Sequence, residues 1–345
     1  MTSTAAGVWT QYALCLAVIG AAGVKLTEYG DAIADKTGMG GTWVGLILIA
    51  TVTSLPELAS GITASAFARL PDIAAGDALG SCVYNLLLLA LMDLFSRRGP
   101  VLARVQRQHV VSAGFGVALL GLAGLGLIAA RADLAGLVGH LAWSTPLMFL
   151  VYAVGIRTLH HHQEEEVEAF TEEEPDRYAG HSLRYVATRY AAAAAAVVAA
   201  GIWLPYVSAD LALVMGWNNS FTGTLFTALS TSIPELVVTM AALRIGAIDM
   251  AVGNVLGSNM FNMLVLAIDD SVYTPGPIFA DVSTAHLVSA IIAMTMSGIV
   301  IAAIYVRPKL RVLGIGSWVS LGLIGLFAVN AWLTFHLGGE LPGGH

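Results

Sequence analysis

Charge is what this sequence has least of. Only 11% of its 345 residues are Asp, Glu, Lys or Arg, against roughly 25% in a soluble globular domain. Most of its surface therefore does not face water. The 16 basic residues are outnumbered by 23 acidic ones, so no polycation is present to draw a phosphate backbone, and nucleic acid is excluded as a partner. Cysteine is nearly missing: Cys15 and Cys82 stand far apart in apolar stretches, which leaves neither a disulfide framework nor a zinc cluster. No segment alternates polar and apolar residues with a period of two, which excludes a membrane β-barrel. What remains is apolar: 57% of residues are hydrophobic and the mean hydropathy is +0.77. A soluble enzyme and a disordered scaffold are both excluded. The chain reads as an integral membrane protein.

A bilayer core of about 30 Å needs roughly 20 apolar residues per helix. Ten such stretches occur, at about 7–24, 41–68, 73–95, 109–130, 134–156, 185–209, 217–243, 247–268, 284–306 and 312–336. The first lacks a basic residue before Lys25, so it reads as a span rather than a cleaved signal peptide. All but two of the 16 Lys and Arg fall in alternate connections, the exceptions being Arg69 and Arg131. Basic loops face the cytoplasm, which places both termini outside it. Between the fifth and sixth stretches, His160-His161-His162 precedes eight acids from Glu164 to Asp176. This segment cannot build a core and reads as a solvated linker; a divalent-cation sensor is the sharper alternative. The expected division is an N-terminal unit 1–158, an acidic linker 159–183 and a C-terminal unit 184–345.

The sequence repeats itself. Thr53-Ser54-Leu55-Pro56-Glu57-Leu58 matches Thr231-Ser232-Ile233-Pro234-Glu235-Leu236 at five of six positions. Gly76-Asp77-Ala78-Leu79-Gly80-Ser81-Cys82-Val83-Tyr84-Asn85 matches Gly253-Asn254-Val255-Leu256-Gly257-Ser258-Asn259-Met260-Phe261-Asn262 at five of ten. Five spans separate the copies. An odd number sends the second copy through the membrane in the opposite sense, the inverted-topology repeat of many secondary transporters. The fold expected is an all-α polytopic membrane protein, with ten transmembrane helices arranged as two five-helix inverted repeats.

Each copy sets a glutamate deep in an apolar span, directly after a proline. A buried acid there costs at least about 2.5–3.5 kcal/mol, and no Lys or Arg lies deep in the interior of a predicted span to offset it. Either the glutamates are protonated or they face a cation that comes and goes. Pro56 and Pro234 cannot donate to the carbonyls of Val52 and Ser230, and freed carbonyls at membrane depth survive only in protein or beside a cavity. Thr53 and Glu57 share a helix face, as do Thr231 and Glu235. The following spans carry matching polar stripes, Asp77-Ser81-Asn85 and Asn254-Ser258-Asn262, beside Gly76, Gly80, Gly253 and Gly257 at a spacing that lets helices approach closely. Such stripes also hold helices together without binding anything. Two of them facing two Pro-Glu breaks favour an ion site. Carboxylates with hydroxyl, amide and carbonyl oxygens suit Ca2+, and Na+ accepts the same ligands; Mg2+ fits less well.

These motifs resemble the α-repeats of the calcium/cation antiporter superfamily, in particular its sodium/calcium exchanger branch. The resemblance rests on residues 53–57 with 76–85 and on 231–235 with 253–262, α-repeats spanning about 41–95 and 217–270. It implies exchange of Ca2+ for Na+ by alternating access through four central sites in a prokaryotic plasma membrane. Glu57 and Glu235 would hold Ca2+ or Na+, and Thr53 and Thr231 would lend oxygens to the Ca2+ site. Ser54, Ser232, Ser81 and Ser258, with carbonyls near Ala50 and Ala228, would complete flanking Na+ sites, and Asn85 and Asn262 would border the centre. Spans one and six would slide as a gate. No cofactor is expected, the ions being cargo, and a single chain would be the transport unit. The first copy departs from the usual pattern at Asp77 and Cys82. Asp77 adds a third acid and leaves a proton-coupled antiporter as the main alternative; a cation channel is the remoter one.

Overall fold

A computed structural model describes residues 4–37, 52–96, 99–132, 136–167 and 182–338, apart from 309, 311 and 313–315, together with residues 134 and 180. Among the described residues the regular structure is all-α apart from one small hairpin and one isolated bridge. Its helices are α1 Ala5–Lys36, α2 Leu55–Ile62, α3 Pro71–Phe95, α4 His109–Arg131, α5 Ser144–Val167, α6 Leu183–Met215, α7 Asn219–Thr222, α8 Ala228–Thr231, α9 Ile233–Ile245, α10 Ile248–Val272, α11 Ala285–Val306 and α12 Trp318–Leu337. Seven of these are long and apolar enough to cross a membrane, and the bent pair 219–231 with 233–245 makes an eighth.

Two expected stretches meet the structure less simply. Most of the first half of 41–68 lies outside the described residues, and the described part begins at Val52. The stretch 134–156 does not start as a helix. Gly136–Val138 pairs antiparallel with Leu141–Ala142, turning at Gly139 with φ +63°, and α5 begins only at Ser144. Apolar composition suits a buried hairpin as well as a helix, and the left-handed turn falls to a glycine because it has no Cβ to clash. At its other end α5 continues to Val167, into the segment expected to be linker; residues 168–179 lie outside the described set. The last span, expected from 312, begins at Trp318, after an isolated bridge between Val312 and Gly316.

The helices α3 and α10 form the centre, with 72% and 83% of their most apolar stretches buried, against 50% or less for the other spanning helices. Four aspartates pin the elements around them, and they do so in matching pairs. Asp93 accepts from the backbone N–H groups of Val101 (2.7 Å) and Ser317 (2.8 Å) and from the Ser320 hydroxyl. Asp270 accepts from the N–H groups of Ile278 (2.7 Å) and Ala142 (2.9 Å) and from the Thr145 hydroxyl (2.6 Å). Each holds the loop eight residues on and the first turn of a distant helix, α12 for Asp93 and α5 for Asp270. At the opposite ends of α3 and α10, Asp72 binds Ser283 N–H and His286 Nε2 at 2.7 and 2.9 Å, while Asp249 binds Gln106 N–H at 2.8 Å and lies 3.2 Å from His109 Nε2. Carboxylate acceptors of this kind are stronger than neutral ones, so the frame is fixed at both ends of the central helices.

Helices α1 and α6 stand apart from this frame. They pack on each other, and their buried residues form two clusters separate from the main core, one around Tyr12, Ile19, Leu204 and Leu211 and another around Leu26 and Val197.

Candidate functional site

Each Pro-Glu motif interrupts its helix one residue before the new turn starts. Ser54 (φ −92°, ψ 14°) and Ser232 (φ −84°, ψ 8°) leave helical geometry in nearly the same way. Pro56 and Pro234 then occupy the first turn of α2 and α9, where the missing N–H would be unsatisfied in any case. At Ser232 the axis bends by 49°. Both glutamates follow directly, so each carboxylate leaves its helix beside a break in the backbone ladder.

The two motifs meet crosswise. Ser54 donates to Glu235 Oε1 at 3.0 Å, and Ser232 donates to Glu57 Oε1 at 3.3 Å. Ser258 also donates to Glu235 Oε1 at 3.4 Å, and the Thr53 hydroxyl acts on the same carboxylate. Glu57 and Glu235 are 1% and 0% exposed, and the Oε2 atom of each has no hydrogen-bond partner. Their charges act on each other directly. Among the described residues no Lys or Arg pairs with either. Two carboxyl groups lie in the protein interior close enough to act on each other, each with an oxygen to spare.

Other expected residues form a second linked group. Thr231 donates to Asp77 Oδ1 at 2.8 Å and lies 3.4 Å from the Ser81 hydroxyl, which joins α3 to the second motif. Asn85 and Asn262 are fully buried, and neither amide has a hydrogen-bond partner for its nitrogen or its oxygen. Amides so placed leave their oxygens free for a cation. The Ala228 carbonyl accepts from Ser232 N–H and from the Thr231 hydroxyl, so it is already engaged within its own helix. Ala50 lies outside the described residues. Asn254 sits further along, its amide 3.4 Å from the Thr239 hydroxyl. Among the described residues no three His, Cys, Asp or Glu side chains are grouped to hold a metal ion. Any cation here would rely on hydroxyl and amide oxygens as much as on carboxylates.

Backbone contact brings these elements together. A Cβ at Gly76 would lie 2.8 Å from Thr224 N, and one at Gly80 would lie 2.8 Å from Thr224 Cα and 2.9 Å from Ala228 Cβ. The two glycines let α3 press against a π-helical turn, Gly223–Thr227, that leads into the second motif. A second π turn, Thr63–Ala68, follows the first. Turns of this kind are frequent at functional sites, and no residue pattern announces them. Sequence reasoning also missed Asp269. The eighth span was expected to stop at residue 268, yet α10 continues to Val272 and Asp269 is 0% exposed. An acid at the end of an apolar run marks an edge unless tertiary packing covers it.

A helical membrane protein whose interrupted helices bring buried oxygen donors together near its centre belongs to the class of secondary transporters. The family model described as sodium/calcium exchanger protein matches residues 8–157 and again 187–336. The chain belongs to that family. It is a membrane exchanger and not an enzyme. The inner membrane protein YrbG of Escherichia coli is 26% identical over 305 residues, covering 84% of this chain and 86% of its own. Among solved structures, the H+/Ca2+ exchanger CAX superposes with a TM-score of 0.67 at 14% identity, over 96% of this chain and 86% of that one. The sodium-calcium exchanger NCX_Mj superposes with a TM-score of 0.60 at 18% identity, over 94% and 98%. At these identities both share the fold.

Proposed function

We propose that this protein is a Ca2+ antiporter that exchanges Ca2+ for Na+ by alternating access. It carries ten spans as two inverted five-helix repeats, residues 1–158 and 184–345 joined by an acidic linker, with both termini outside the cytoplasm and one chain as the transport unit. The observation that carries this reading is the crosswise pairing of Ser54 with Glu235 and Ser232 with Glu57, which leaves one free oxygen on each buried glutamate. Ca2+ would be held by Glu57, Glu235, Thr53 and Thr231 with Asn85 and Asn262 at the border. Na+ would use the same carboxylates with Ser54, Ser81, Ser232 and Ser258.

Coupling follows from charge. Two carboxylates confined together at low dielectric repel strongly when empty. One Ca2+ neutralises both; Na+ ions do so only in combination. If the gating helices pass over the site only when it is neutralised, exchange follows and leak is suppressed. The second reading, coupling to H+, draws on Asp77, which adds an acid that an Na+-only site does not need, and on a fold shared with CAX as well as with NCX_Mj. Proteoliposomes separate the two. Uptake of radiolabelled Ca2+ driven by an Na+ gradient at constant pH supports Na+ coupling; uptake driven only by a pH gradient without Na+ refutes it. Glu57→Gln and Glu235→Gln should each abolish uptake, and wild-type flux in either would remove the site from the mechanism.

A further inference from the structure

Beyond the paired glutamates, two more buried acids converge, and both break the internal symmetry of the chain. In the register that aligns Gly80-Ser81 with Gly257-Ser258, Asp77 stands opposite Asn254 and Asp269 opposite Met92. The neighbouring Asp270 stands opposite Asp93, and these two perform the same loop-pinning task in their respective copies. Asp269 has no such task. Both of its carboxylate oxygens are buried and neither has a hydrogen-bond partner. A carboxylate left in that condition is costly, and its equivalent position in the other copy folds with a methionine. The fold does not require an acid there.

Three elements meet at this carboxylate. Gly61, in the last turn of α2, makes room for it: a Cβ at Gly61 would lie 2.5 and 2.6 Å from the two Asp269 oxygens. Ser60, the adjacent residue, is buried with its hydroxyl beside Asp77 on α3, in a contact that falls outside ordinary hydrogen-bond geometry. Asp77 gives one oxygen to Thr231 and keeps Oδ2 without a partner. The charges of Asp77 and Asp269 act on each other. Among the described residues, no basic side chain pairs with either acid.

We infer that Asp77, Asp269 and Ser60 form a second cation site, distinct from the glutamate pair, that holds a divalent ion of the Ca2+ type. Three unpartnered carboxylate oxygens and a hydroxyl are hard donors, and two carboxylates balance one divalent charge; water would complete the six to eight oxygens that Ca2+ takes. The site lies beside the central one, because Asp77 is tied through Thr231 to the second Pro-Glu motif. It rests on the Ca2+ antiporter reading for the identity of its occupant. It adds a waiting position toward the end of the molecule where α3 begins and α10 ends, on a route that only one of the two copies supplies.

The test is equilibrium binding of radiolabelled Ca2+ to the detergent-purified full chain. The wild type should bind two Ca2+ per chain. Asp269→Asn, which keeps the shape and removes the charge, should lose one of them or weaken it at least about tenfold, since affinity at such sites follows the ligand charge count. Gly61→Ala, which fills the space the carboxylate occupies, should do the same. The Glu57→Gln/Glu235→Gln double variant should keep the ion that depends on Asp269. A wild type that binds a single Ca2+ overturns the inference, and that measurement needs no variant to fold. Unchanged stoichiometry and affinity in Asp269→Asn also overturns it, including the case where only the pH dependence of transport moves and the acid takes a proton instead. Should Asp269-dependent binding persist while Glu57→Gln and Glu235→Gln still transport normally, the second site stands and the central-site reading falls.

Discussion

Replacing Gly80 by alanine adds one methyl group, and the structure says where it goes. The new carbon would overlap the Thr224 carbonyl oxygen and would lie 2.8 Å from Thr224 Cα and 2.9 Å from Ala228 Cβ. Carbon atoms in contact settle at about 3.5–4.0 Å. The obstruction is mostly backbone of the π turn, which cannot rotate away as a side chain would, so α3 and residues 223–228 must part by roughly 0.6–1 Å. Overpacking of this kind costs typically 1–3 kcal/mol of stability. The functional effect should be larger than the thermal one. Ser81 and Thr231 already stand 3.4 Å apart, and Asp77 holds Thr231 at 2.8 Å; both contacts cross the plane that opens. Losing a hydrogen bond to a charged group costs about 1.5–3 kcal/mol, equivalent to roughly ten- to a hundredfold in binding. Ca2+ uptake into proteoliposomes and Ca2+ binding in detergent should therefore both fall by at least about tenfold. Gly325→Ala is the control, because a Cβ there meets nothing within 4 Å. Wild-type uptake and an unchanged thermal midpoint in Gly80→Ala would refute the close-contact argument altogether.

Gly23→Ala and Gly201→Ala should slow transport while leaving equilibrium Ca2+ binding within about twofold; a loss of binding equal to the loss of rate would contradict this. Their methyl groups would meet Pro234 Cγ at 2.5 Å and Ala59 Cβ at 2.9 Å, contacts of α1 and α6 rather than of the ion ligands. Asp93→Asn and Asp270→Asn should each lower thermal stability, at about 1.5–3 kcal/mol for each charge-assisted bond lost. Size-exclusion recovery after heating reads that effect, and an unaltered melting profile in both would show that the loops are held by something else. Glu57→Gln, Glu235→Gln and Asp269→Asn complete the set, with uptake and binding stoichiometry as their readouts.

The chemistry of the centre was legible because it is written twice. Pro56-Glu57 and Pro234-Glu235 stand out against apolar surroundings, and once both are seen, the threonines and serines beside them acquire a role. The crosswise partnership was not legible: nothing in a linear reading says that Ser54 reaches Glu235 instead of Glu57. Among the described residues helix positions followed hydropathy in most runs, and failed at residues 136–142, where an apolar stretch turns back at Gly139 because glycine accepts a left-handed backbone. Asp269 was unreadable for a related reason. Its burial depends on the empty side of Gly61, a residue more than 200 positions away in sequence, so only packing reveals that an acid at the end of a span lies inside the protein. Asp77 was visible as an oddity, but its partner Thr231 came only with the fold.

The distribution of polar ties also indicates which interface can move. Asp72, Asp93, Asp249 and Asp270 lock the ends of α3 and α10 to the loops and helices around them with charge-assisted bonds, several per carboxylate. Shifting any of these would break bonds worth about 1.5–3 kcal/mol each, with no water at hand to replace those that are buried. The pair α1 and α6 touches the frame differently. Gly23 rests on Pro234 and Gly201 on Ala59 and the Pro56 carbonyl, so each helix lays a surface without side chains over a Pro-Glu break. Their apolar clusters are separate from the main core, and the side-chain bonds that cross include Tyr12 to the Phe226 carbonyl and Thr227 to Ser208. Dispersion contacts over glycine exchange at little cost as one surface slides along another, whereas a clamped carboxylate must let go first. A carrier that alternates its access needs one mobile boundary next to the ion and a rigid scaffold behind it. In this chain a boundary beneath α1 and α6 would pass directly over Pro56 and Pro234, one residue from the two glutamates whose charge it would have to cross.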